Sequence, residues 1–85
     1  MAQTQVRTSG RAYTAAIERE TQLVREAIAL VAGGGSPRVV VAGIRYGATL
    51  LDAARRLALE AGVCVIPLWK DDHAGADIVV EPIHK

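Results

Sequence analysis

The chain has 85 residues, a net charge of +1, 51% hydrophobic residues, 4% aromatics and no Phe. That admits one domain, residues 1–85, with a modest core of Val, Ile, Leu and Ala, for which oligomerisation is a ready source of extra burial. It excludes a membrane span, since no apolar run approaches the roughly 20 residues a bilayer demands, and with no signal-peptide pattern at the N-terminus the chain is expected in the cytoplasm.

Residues 3–8, Gln-Thr-Gln-Val-Arg-Thr, alternate and predict a short strand, which Ser9-Gly10 ends. From 11 to 32 the apolar positions Tyr13, Ala16, Ile17, Leu23, Val24, Ala27, Ile28 and Val31 make one helical stripe. Gly33-Gly34-Gly35 stops that helix, because glycine takes the left-handed C-cap conformation freely. The triplet follows a helix and no Lys comes after it, so it does not read as a phosphate loop. Residues 39–42, Val-Val-Val-Ala, form a β-branched strand apolar on both faces. A second helix is predicted over Gly47–Ala61, with Leu50, Ala54, Leu57, Ala58 and Ala61 buried and Gly62 as its cap. Leu51 and Leu59 lie off that stripe and predict a second apolar face, used in a two-fold dimer with the terminal hairpin.

Val63–Trp69 reads as a third strand and 77–83 as a fourth, joined antiparallel by the polar turn 70–75. Pro67 and Pro82 cannot donate to a ladder, so each marks an edge, a bulge or a strand end. Cys64 lies in an apolar run and is expected as a buried, inert thiol, and Trp69 as a packing residue of the hairpin. The resulting order is β-α-β-α-β-β. The expected fold is an α/β two-layer sandwich, two helices on one face of a four-stranded mixed sheet.

Charge is unevenly spread. Residues 1–56 carry eight arginines against four acids, and 57–85 two lysines against five acids. Arginine is the side chain best suited to forked hydrogen bonding with phosphate. The turn Gly43–Gly47 leads a strand into a helix, where backbone N–H groups and the helix dipole can hold an anion. Arg45 and Tyr46 sit there. Arg55 and Arg56 are expected to pair with Asp52 and Glu60 on the helix surface. His73 and His84 lack enough ligand-spaced partners for a metal, so none is expected. Cys64 with His73 is the one conceivable nucleophile–base pair. A thiol inside a strand is poorly placed for attack, so neither enzymatic activity nor a cofactor is expected.

The element order and the residues at its two turns resemble the Alba family of small nucleic-acid-binding proteins. Val6-Arg-Thr-Ser-Gly10-Arg11 stands where the family has a strand, a glycine and basic residues opening the first helix. Arg45-Tyr-Gly-Ala-Thr-Leu-Leu-Asp52 is similar to the family's Arg-Ala-Ile-Ser-Lys-Ala-Val-Asp at its second turn. The resemblance implies that Arg11 and Arg45, with Arg7 beside them, contact the backbone of DNA or RNA. The family commonly has two lysines after the glycine and a longer basic hairpin. Here Arg11 is followed by Ala12, and Lys70 sits beside Asp71 and Asp72. The expected function is therefore a homodimeric, nucleoid-associated DNA- or RNA-binding protein that contacts mainly phosphate, with Tyr46 available for stacking. Two alternatives stand beside it: a small-ligand or nucleotide module at the Gly43–Gly47 turn, and a protein-interaction module without ligand.

Overall fold

The computed structural model describes residues 2–72 and 74–83, with side chains from Tyr13 onward. Its elements are α1 (Ala2–Ala32), β1 (Val39–Ile44), α2 (Gly47–Ala61), β2 (Val63–Trp69) and β3 (Ala76–Pro82). The three strands form one antiparallel sheet in the order β1-β3-β2. This corrects the expected four-stranded mixed sheet. Residues 3–8 belong to α1, a helix about 46 Å long at 1.5 Å rise per residue. The alternation there involves polar residues, no neighbouring strand is offered to them, and a helix satisfies its own backbone hydrogen bonds. Ser9-Gly10 does not interrupt it; an interior glycine costs only about 1 kcal/mol.

The glycine triplet does end α1. Gly34 takes φ +78°, and the Gly35 N–H reaches back to the Leu30 carbonyl at 2.9 Å. Gly62 closes α2 in the same left-handed conformation. At the hairpin, Lys70 N–H bonds the Gly75 carbonyl, and Asp72 Oδ1 accepts from the N–H groups of Ala74 and Gly75.

Because β3 is antiparallel to both neighbours, β1 and β2 run in the same direction but do not touch. The β1–α2–β2 unit spans a gap that β3 fills. Ile78-Val79-Val80 is apolar on both faces, the composition a central strand requires.

Both helices lie on one face: α1 packs on β1 and β3, α2 on β2, and the helices on each other. The core between the layers joins Val24, Ala27, Ile28 and Val31 to Leu50, Leu51, Ala54 and Ala58, and to Ile44, Val63, Val65, Ala76, Ile78 and Val80. Leu51, expected on a free face, belongs to this core. α2 packs against both the sheet and the neighbouring α1, so its buried sector is wider than a single stripe. Conversely Leu23, Tyr13 and Ala61 are exposed, and Leu57 is half-buried.

Candidate interaction surface and the arginine turn

The β1–α2 turn is built as the sequence suggested, but its donors are engaged. Glu20, half-buried on α1, reaches across and accepts from the backbone N–H groups of Arg45 and Tyr46, each at 2.8 Å. Tyr46 is the N-cap residue of α2 and makes no side-chain cap, and the first turn of α2 has no acid. A carboxylate from another helix therefore supplies the negative charge the helix end favours. Gly43 N–H is bound to Asp77 Oδ1 at 3.0 Å, and Ala48 N–H to the Ala74 carbonyl at 3.1 Å. Four N–H groups an incoming phosphate could use, those of Gly43, Arg45, Tyr46 and Ala48, are thus taken by the protein itself. The rings of Tyr13 and Tyr46 meet edge-on at 5.0 Å, joining α1 to the turn from the side.

An open cleft of about 690 Å³ lies between this turn and the hairpin turn, lined by Gly43, Ile44, Arg45, Tyr46, Lys70, Asp72 and Gly75. Of its two cations, Lys70 is tied to Asp77 Oδ2 at 3.3 Å. The Arg45 side chain is exposed and makes no ion pair with a described residue. Among the described residues the ion pairs are Lys70–Asp77 and Arg38–Glu81, the latter at 3.7 Å. The expected pairs of Asp52 and Glu60 with Arg55 and Arg56 do not form. Arg7 and Arg11 lie along α1, not at a strand-to-helix turn, because Ala2–Ala32 is one continuous helix; their side chains lie outside the described ones. His73 and His84 also lie outside the described residues, among which no group of three or more His, Cys, Asp or Glu is placed to hold a metal ion. No described helix is long and apolar enough to cross a membrane.

Asp77 sits where β1 departs from regular register, between Val41 and Ile44, with Gly43 at φ +74°. The hydrogen bond from Gly43 N–H, then that from Lys70, lowers its pKa below the ordinary 3.8. A carboxyl depressed on folding contributes stability that is present above its unfolded pKa and is lost as pH falls through the folded value. Unfolding midpoints of the wild type and Asp77→Asn are therefore expected to differ at about pH 5 and to converge as the carboxyl is protonated in acid. A gap that persists unchanged into acid would exclude a charge effect.

Among the described residues no helix lies on the opposite face of the sheet. Alternation along the register puts Val40, Val79 and Ile66 in one row across β1, β3 and β2, with Leu68 and Cys64 on either side of Ile66. Val79 is only 3% exposed yet lies outside the interlayer core, shielded by its row neighbours. Val40, Ile66 and Leu68 remain 47%, 40% and 52% exposed. Cys64, expected in the core, is half-buried on this face. The row is flanked by Arg38–Glu81 at one end and Lys70–Asp77 at the other, one cation and one acid each. Around the β2 edge, Leu59 of α2 (74% exposed) and Ile83 border an apolar groove with Arg55, Val63 and Cys64. Leu59 is thus exposed as expected, though without Leu51. Trp69 is exposed at the end of β2.

Sequence reasoning missed both Glu20 and the sheet face. The apolar character of Val39-Val-Val and Ile78-Val-Val on both strand faces was the signal for the sheet face; the first was read as an interior strand and the second only as a hairpin strand. Compared with protein-family models, curated proteins and solved structures, the chain shows no significant match.

Proposed function

We propose that this domain is a protein-interaction module that works through the uncovered face of its sheet. The carrying observation is Val79, a side chain as sequestered as the core yet outside it, in a row whose flanks stay half-exposed. Apolar surface of this kind, rimmed by polar residues, is the mark of a contact site. The face has no aromatic ring in its row for a base to stack on and no excess positive charge for phosphate. The Gly43–Gly47 turn, with the N–H groups of Gly43, Arg45 and Tyr46 engaged by Asp77 and Glu20, gives less support to a nucleotide module.

A photo-crosslinking residue placed at Leu68 tests this in cells, with Glu18 on the outer side of α1 as the control position. Protein adducts are expected from position 68 and not from 18. Equal adducts from both, or adducts to nucleic acid alone, would overturn the reading.

One observation favours a second reading. Arg19, Arg25, Arg45, Arg55 and Arg56 are exposed, with no ionic partner among the described residues, which suits sequence-independent contact with the phosphates of DNA or RNA. That reading demands affinity that falls steeply with salt, and a slope reduced by about one in Arg45→Ala. Salt-independent binding, or none in a mobility-shift titration, removes it.

A further inference from the structure

Resting on the interaction-module reading, we infer that the occupant of the sheet face is a second copy of this chain, stacked face to face about a two-fold axis. The first argument is charge. Arg38 is satisfied by Glu81 and Lys70 by Asp77 within the same sheet. The face is neutral at both ends, so it offers nothing to a strongly acidic or basic partner. A copy of itself matches it: a central row of Val40, Val79 and Ile66 meets the same row, and each end presents one cation and one acid whichever way the copies align.

The second argument is the state of the edges. In the order β1-β3-β2 both β1 and β2 are edge strands. β1 is interrupted by the irregularity at Gly43, and β2 contains Pro67, which has no N–H to give. Bulges and prolines on edges are devices against strand-to-strand addition. Edge pairing is blunted on both sides while the face is left apolar, which selects stacking over extension of the sheet. Two twisted sheets stack about 10 Å apart with their strands within about 30°. The helices of both copies then remain outermost, giving layers in the order α/β/β/α.

The third argument is area. A stable interface buries roughly 800 Å² per partner. The half-exposed side chains around Val79 form the centre of such a patch, and the groove at Leu59 and Ile83 extends it around the β2 edge. Its apolar centre rests on a few half-exposed side chains, Val40, Ile66 and Leu68, so the dimer is expected to dissociate on dilution.

Sedimentation of the wild type from about 200 µM down to about 1 µM should show twice the chain mass falling to one. Ile66→Lys combined with Leu68→Lys should be monomeric throughout. A measurement on the wild type alone guards against misfolding of that variant. Hydroxyl-radical oxidation of Ile66 and Leu68 should rise severalfold over the same dilution, while Leu23 and Leu30 on α1 stay constant. A wild type monomeric at all concentrations, a folded double variant that dimerises equally, or oxidation of Ile66 and Leu68 indifferent to dilution would overturn the inference. If the wild type is monomeric yet position 68 crosslinks to a different protein in cells, the second copy is wrong and the interaction-module reading stands. If it is monomeric and position 68 gives no protein adduct, both fall.

Discussion

Ile78→Ala is expected to cost about 3–4 kcal/mol, within the range for deleting a buried isoleucine to its β-carbon. The residue is 0% exposed at the centre of β3. Its register partners are Val41 and Pro67, and its side chain is part of the core beneath the two helices. A chain of this length has roughly 4–13 kcal/mol of stability in total, so a large part of it would go. The informative comparison is Ile66→Ala, the same deletion on an edge strand with the side chain turned to the uncovered face and 40% exposed. It should cost less than about 1 kcal/mol in the isolated monomer. Urea unfolding of both at a concentration where the chain is monomeric decides it. Equal losses would mean that the two faces are buried alike, and that the assignment of Ile66 to the open side is wrong.

Where local signals were complete, the sequence could be read to the residue. α2 spans Gly47–Ala61 and β2 spans Val63–Trp69 as expected, since Gly62 in the left-handed conformation separates them and the polar turn ends the second. The α1 terminus at the glycine triplet was equally legible. The first segment was not, because the pattern of 3–8 is almost wholly polar and a period of two means little without an apolar face to bury. Sheet order was hidden for a different reason. Alternation tells which side chains share a face, not which strands are neighbours, so the insertion of β3 between β1 and β2 had only the doubly apolar Ile78-Val79-Val80 as a hint. Leu51 was misplaced because stripe width depends on how many elements surround a helix, and α2 touches both α1 and the sheet. Of the proposed arginine site, the turn around Arg45 formed. Its electrostatics depend on Glu20, 25 residues away, for which nothing local gives notice.

Glu20→Ala is expected to lower stability by about 2 kcal/mol. It removes two charge-assisted hydrogen bonds, each worth roughly 1.5–3 kcal/mol when shielded, but water can replace part of them because Arg45 is exposed. Glu20→Gln, which keeps an acceptor and loses the charge, should lose about half as much. The damage should be local before it is global. Amide exchange at Arg45 and Tyr46 should speed up, and the Tyr13–Tyr46 contact should loosen with it, since both tie α1 to the start of α2. Added sulfate then separates two roles for this turn. If Glu20 is a cap that satisfies N–H groups the fold cannot otherwise pair, the anion should restore part of the stability of Glu20→Ala by binding the folded state, and leave the wild type unmoved. A wild type stabilised by sulfate to the same extent would show that Glu20 yields to an external anion, and the turn would again be a ligand site. Unchanged exchange at Arg45 and Tyr46 in Glu20→Ala would show instead that the carboxylate contributes nothing to holding the turn.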